Sequence, residues 1–121
     1  MLLDPTTADP LYRKAIRTSM AASLRVPFTR VEPWPSGLDA LRSQGFRIVA
    51  LTPDPGAMSI HDYAVEPGGR VILALGSEGE GLQSASMGYA DVQLRIPIDP
   101  RADSLNVVVA AGIALNRLLV G

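Results

Sequence analysis

The stretch Val71-Ile72-Leu73-Ala74-Leu75-Gly76-Ser77-Glu78-Gly79-Glu80-Gly81-Leu82 runs an apolar segment straight into a glycine-rich loop. Consecutive apolar residues without alternation, bounded by turn signals, predict a strand over 71–75 that sits inside a parallel sheet, because both its faces need cover. The glycine spacing, G-x-x-G-x-G, matches neither the dinucleotide fingerprint nor the phosphate loop, and no lysine follows. Glu78 and Glu80 would repel a pyrophosphate, whereas a ligand that carries positive charge, or hydroxyls and amines as donors, suits them. The loop also reads as a tight surface turn with solvated glutamates.

Outward from this stretch the chain alternates strands with helices. A strand is predicted over 46–51, ended by Thr52-Pro53-Asp54-Pro55-Gly56, a short one over 26–31, and an edge-tolerant one over 92–98 that contains Pro97. Asp9-Pro10 signals a helix over about 10–24, Ser36 caps a short helix carrying Leu38 and Leu41 that Gly45 closes, and another short helix falls in 81–89. Ser104 caps a final helix reaching Leu119. That helix is apolar around nearly its whole circumference, with Arg117 its only charge, which predicts burial on more than one side, in the core or in a subunit interface. The pattern implies an α/β fold, a mainly parallel sheet flanked by helices, with ligands beyond the carboxyl ends of the strands. The loops after Leu51, Leu75 and Ile98 are therefore the ones to inspect.

Composition bounds the rest. At 121 residues, 47% apolar, the chain reads as a single domain, 1–121. Eleven basic residues against twelve acidic ones exclude a polycation, so any nucleic-acid contact is a local patch. With no Cys and one His, His61, neither a thiolate nor a histidine metal cluster is expected, no Ser-His-Asp triad is available, and nothing speaks against a reducing cytoplasm. The longest apolar stretch, 107–115, falls far short of the roughly 20 residues of a membrane span. A soluble, cytoplasmic protein that needs neither metal nor membrane is the expectation.

The second informative loop is Ile96-Pro97-Ile98-Asp99-Pro100-Arg101-Ala102-Asp103-Ser104-Leu105-Asn106. Taken alone, Ser104 is a helix cap and Asn106 a polar residue in an apolar first turn whose amide needs a partner. Together the two loops resemble the second and third motifs of the SpoU-type RNA ribose methyltransferases of the SPOUT superfamily. The second is Leu73 through Leu82; the third is Ile96-Pro97-Ile98 with Ser104-Leu105-Asn106-Val107-Val108-Val109-Ala110-Ala111. The segments Asp9-Pro10 through Ala22 and Arg25-Val26-Pro27 resemble the family's helix after its second strand, so the resemblance covers essentially the whole chain.

The resemblance implies transfer of methyl from S-adenosylmethionine to a ribose 2′-hydroxyl of tRNA or rRNA, a C-terminal trefoil knot, and a homodimer with active sites at its interface. Glu78, Ser104 and Asn106 match the family's polar catalytic positions. Gly76 would let backbone approach the cofactor, Ile96 and Leu105 would bracket the adenine, and Thr52 would border the same pocket. Arg13, Lys14 and Arg17, on neighbouring turns of the first helix, would touch RNA phosphates or else form an ordinary solvated face. Tyr12 and Trp34 stack on bases or pack, and His61 carries no assigned role. The family's first motif, which ends in an arginine thought to help activate the hydroxyl, has no match here, so the domain reads as truncated at its N-terminus. The rival expectation is a non-catalytic module that keeps cofactor binding, RNA binding or dimerisation.

Overall fold

The computed structural model describes residues 1–5, 10, 11, 13, 17, 25–76, 84–99, 101 and 106–120. They fall in two compact units, 1–38 and 39–121. In the first, β1 (Leu2–Leu3) and β2 (Thr29–Arg30) pair in parallel. The Thr29 N–H donates to the Met1 carbonyl at 3.1 Å and the Val31 N–H to the Leu3 carbonyl at 2.8 Å. Leu3, Val31 and Leu38 are buried. The strand expected over 26–31 is thus confined to Thr29–Arg30, for Pro27 has no N–H to give a ladder. Most of the helix expected over 10–24 lies outside the described residues, though Arg13 and Arg17 are helical and exposed.

The helix α1 (Leu38–Ser43) starts later than the expected cap at Ser36, because the Gly37 and Leu38 N–H groups are already taken by the Pro33 and Pro35 carbonyls, at 2.7 and 3.0 Å. Gly37 is required there: a Cβ would lie 2.7 Å from the Pro33 oxygen and 2.8 Å from Val31 Cγ1. Gly45 closes α1 as expected, at φ +92° with its N–H on the Arg42 carbonyl at 3.0 Å, the left-handed cap that glycine adopts without strain.

The second unit holds a four-stranded sheet of β3 (Phe46–Leu51), β4 (Met58–Ser59), β5 (Arg70–Ala74) and β6 (Val92–Arg95), in the order β4-β6-β3-β5. Every pair is parallel, so the expected α/β class with a mainly parallel sheet holds. Two strands change places with expectation. β5 lies at the end of the sheet rather than inside it, and β6 lies inside, between β3 and β4. β6 can do so because it stops at Arg95, leaving Pro97 beyond the ladder. The two-residue β4 and the 3-10 helix Ile60–Asp62 were not foreseen; Ser59 caps that helix, its hydroxyl accepting from the His61 N–H at 3.2 Å. A short helix, α2 (Ser84–Met87), and the long α3 (Val107–Val120) complete the unit.

Val49, Ile60, Leu94 and Ala114 form the core cluster, each fully buried, with Leu51, Tyr63, Val71, Leu73, Val92 and Ile96 packed against it. Within this chain, and among the described residues, α3 is buried along one side. Ala114 is its fully buried residue among those described, while Val108 and Leu119 are 73% and 81% exposed and Val109, Ile113 and Leu115 are exposed as well. A single layer covers one stripe of a helix, and the other apolar stripe is left to solvent. Arg117 donates to the carbonyls of His61 at 3.2 Å and Tyr63 at 3.5 Å, pinning the helix to the segment after β4.

Asp91 locks the amino end of β6 to β3 and α1. Its carboxylate accepts from the Ile48 N–H at 2.8 Å and pairs with Arg42 at 2.8 Å. The Ile48 hydrogen bond foremost, with Arg42 beside it, holds the carboxyl below the usual carboxylate range against the opposing effect of burial. A depressed folded pKa means that the contribution is complete above the unfolded value, about 4, and is lost as pH falls through the lower folded one. Asp91→Ala should therefore lower stability at neutral pH by about 1–3 kcal/mol and flatten its decline on acidification, as read from urea midpoints between neutral and acid pH.

Candidate functional site

Because β5, β3 and β6 lie side by side and run the same way, the residues that follow them share one edge of the sheet. Gly76 follows β5, Thr52 follows β3 and Ile96 follows β6, so three of the expected cofactor residues come together at the carboxyl edge. All three are half-buried. β5 and β6 themselves run two strand spacings apart, roughly 10 Å. The Thr52 N–H donates to the Leu94 carbonyl at 2.9 Å, extending the ladder one step past β3. Its hydroxyl accepts from the Asp54 N–H at 3.2 Å, and the Asp54 carboxylate from the Gly56 N–H at 2.8 Å, which ties the 52–56 turn down.

Among the described residues of the three loops the charged ones are Asp54, Asp99 and Arg101. Asp99 takes Arg101 in a bidentate grip, at 3.0 Å from Nε and 2.7 Å from Nη2, and also accepts its backbone N–H at 2.8 Å. The side-chain hydrogen bonds lower the Asp99 carboxyl and raise the Arg101 guanidinium. Among the described residues of these loops Asp54 is left as the unpaired charge, while Arg95, at the end of β6, donates its Nε to the Ala57 carbonyl at 3.1 Å. The Asp99–Arg101 pair was missed as a pair in the sequence, where an acid and a base flanking Pro100 was the available signal.

Asn106 caps α3. Its Oδ1 accepts from the Val108 N–H at 2.8 Å and its carbonyl from the Ala110 N–H at 2.9 Å. The cap expected at Ser104 therefore belongs to Asn106, whose oxygen meets the second free N–H of the helix. Glu78, Ser104, Leu105, Lys14 and Tyr12 lie outside the described residues. Arg13 and Arg17 stand one turn apart, hence on one helix face. Trp34 is half-buried in the turn before α1.

A cleft of about 660 Å³ opens at the opposite, amino end of β3 and β5, lined among others by Arg42, Phe46, Tyr63, Glu66, Arg70 and Asp91. Two of its cations are engaged within the fold. Arg42 serves Asp39 and Asp91, and Arg70 lies 5.0 Å above the Phe46 ring while donating to the Gln44 carbonyl at 2.8 Å. It shares nothing with the carboxyl-edge loops. Among the described residues no group of His, Asp and Glu is placed to hold a metal, and no helix is long and apolar enough to cross a membrane.

The SpoU rRNA Methylase family model matches residues 1–116. An uncharacterized tRNA/rRNA methyltransferase of Mycobacterium tuberculosis is 44% identical over 108 residues, covering 88% of this chain and 38% of that protein. The Bacillus subtilis 23S rRNA (guanosine(2553)-2′-O)-methyltransferase RlmP is 30% identical over 119 residues, 98% of this chain and 46% of its own. Among solved structures, the AdoMet-bound rRNA methyltransferase from Sinorhizobium meliloti superposes with a TM-score of 0.84 at 28% identity, over 96% of this chain and 43% of that one. The chain belongs to the SpoU rRNA methylase family. It spans less than half the length of these relatives.

Proposed function

We propose that this chain is the cofactor-binding and dimer-forming portion of an RNA ribose 2′-O-methyltransferase that uses S-adenosylmethionine. The observation that carries the reading is the convergence of Thr52, Gly76 and Ile96 on one edge of a parallel sheet, beside loops whose only unneutralised charge among the described residues is negative. Those residues fit an adenosyl sulfonium: Gly76 has no Cβ to hold a ligand off the backbone, Ile96 offers an apolar wall, and the Arg101 charge is taken up by Asp99. S-adenosylmethionine supplies a methyl group on a leaving group that is already good. Gly76, Ile96, Leu105 and Thr52 would hold it. Glu78, Ser104 and Asn106 would position the ribose and the proton of its hydroxyl, and Arg13, Lys14 and Arg17 would contact phosphates. The names of the Bacillus and Xylella relatives, guanosine 2′-O-methyltransferases of 23S rRNA, support the ribose assignment.

Calorimetric titration tests the cofactor. S-adenosylmethionine, or its demethylated product, should bind more tightly than NAD or ATP, and the reverse order would overturn the reading. The trefoil knot and the homodimer belong to the same proposal. The exposed side of α3 supports the dimer, since Val108, Leu115 and Leu119 along one line, with Val109 and Ile113 along the next, present apolar side chains that a symmetric partner would cover. Light scattering after gel filtration should give about twice the 12.8 kDa monomer mass.

A further inference from the structure

The cleft at the amino end of β3 and β5 carries groups that neither the fold nor methyl transfer uses up. The Arg70 guanidinium lies over the ring of half-buried Phe46 and is held there by the Gln44 carbonyl, yet the residue is exposed. Neither partner is an anion, so its charge is not neutralised. Glu66 opens a turn in which the Gly69 N–H donates to the Glu66 carbonyl at 2.8 Å, with Pro67 and Gly68, at φ +73°, in the two middle places of a type II turn. Among the described residues the Glu66 carboxylate has no hydrogen bond or ion pair, and neither has the Arg47 guanidinium, whereas Asp39 and Asp91 share Arg42. All of them line one space of about 660 Å³, within the roughly 300–1,000 Å³ of small-molecule sites.

We propose that this cleft binds a guanine nucleotide, the base stacked on Arg70, its N1–H and exocyclic amine donating to the Glu66 carboxylate, and its phosphate against Arg47. A guanidinium already fixed over one ring offers its other side to a second flat ring, and nucleobases stack on guanidinium planes as they do on aromatic side chains. Glu66 chooses among the bases. An ionised carboxylate only accepts, and guanine presents two adjacent donors that match its two oxygens. Adenine and cytosine bring one amine beside an acceptor, and uracil an N–H between two acceptors, so each sets a lone pair against the carboxylate. The charges favour the same ligand. Arg47 and Arg70 are balanced by Glu66 and by the surplus acid of the Arg42, Asp39 and Asp91 group, so a bare anion gains little, whereas a ligand with donors at one end and a phosphate at the other gains at both. A free nucleotide and an unpaired guanosine of an RNA strand offer this same chemistry. The inference does not rest on the cofactor reading of the carboxyl edge.

Amide chemical shifts of the isotope-labelled 121-residue chain, titrated with guanosine, adenosine and uridine monophosphates, test it. Guanosine monophosphate should move the amides of 45–47 and 66–71 and bind at least about tenfold more tightly than the other two, the effect of a paired hydrogen bond to a charged group. Glu66→Gln replaces one acceptor oxygen by a donor at an exposed position without partners, so it should leave the melting temperature unchanged and bring guanosine monophosphate down to the affinity of the adenosine one. A short oligouridine carrying one guanosine identifies the source: tighter binding than the mononucleotide means an RNA strand, weaker binding a free nucleotide, and either upholds the site. Equal affinity for the three mononucleotides would overturn the proposal. So would an undiminished guanosine preference in Glu66→Gln, or shifts confined to 52–56 and 96 at the carboxyl edge.

Discussion

Asn106→Asp is expected to leave the fold intact and to slow methyl transfer by about two orders of magnitude, the cost of removing one positioned donor in a site of this kind. The substitution keeps the Oδ1 acceptor that caps α3 at Val108 and removes the amide donors. Asn106→Ala removes both, so it should match the loss of transfer and also lower stability by about 1 kcal/mol. Separating the two effects distinguishes a cap from a residue that positions the ribose. The assay is tritiated-methyl transfer to bulk tRNA and rRNA, run with residues 1–121 grafted in place of the matched region of the Mycobacterium relative, which supplies the polypeptide outside it. Residues 1–121 by themselves should transfer feebly. Normal turnover by the Asn106→Asp graft, with only a stability change in the alanine variant, would reduce Asn106 to a structural cap.

The second large effect concerns the core. Leu94 is fully buried on the interior strand, in one cluster with Val49, Ile60 and Ala114. Leu94→Ala should cost about 2–5 kcal/mol, the transfer free energy of the lost methyl groups plus the cavity they leave. A domain of this size has about 5–15 kcal/mol in all, so the variant should sit near the threshold of unfolding. Urea denaturation with an unchanged slope and a sharply lower midpoint is the expected result. A change under about 1 kcal/mol would mean that the sheet and α3 close over the gap, which the density of such interiors argues against.

The central strands were legible because sequence and structure share a local cause. Phe46–Leu51 lies between a helix-closing glycine and a proline turn, and β5 differs from its expected span by one residue at each end. The loops after Leu51 and Leu75 followed from those strands, whereas Thr52, Gly76 and Ile96 as cofactor positions followed from the family resemblance, and Ile96 fell inside the strand expected over 92–98. Order within the sheet was not legible, since Pro97 and the apolar run 71–75 speak about neighbours only on average. β4 has two residues and no period to read. The cap of α3 moved from Ser104 to Asn106 because either residue can offer an oxygen, and only the geometry of the last loop chooses. The apolar circumference of α3 said that cover was needed without saying which part of it residues 1–121 provide.

Arg117 has a further consequence, for the order of events at the ribosome. Its two hydrogen bonds reach back 56 and 54 residues, to His61 and Tyr63, and Ala114 beside it completes a cluster whose other members come from β3, the 3-10 helix and β6. Every earlier element of the second unit can be synthesised and emerge before the residue that closes its core exists. Local pairs such as β3 with β5 can form meanwhile, but the cluster stays open until α3 arrives. A chain released after truncation before residue 114 should therefore bind hydrophobic dyes and fall to proteases, and one released with α3 intact should resist both.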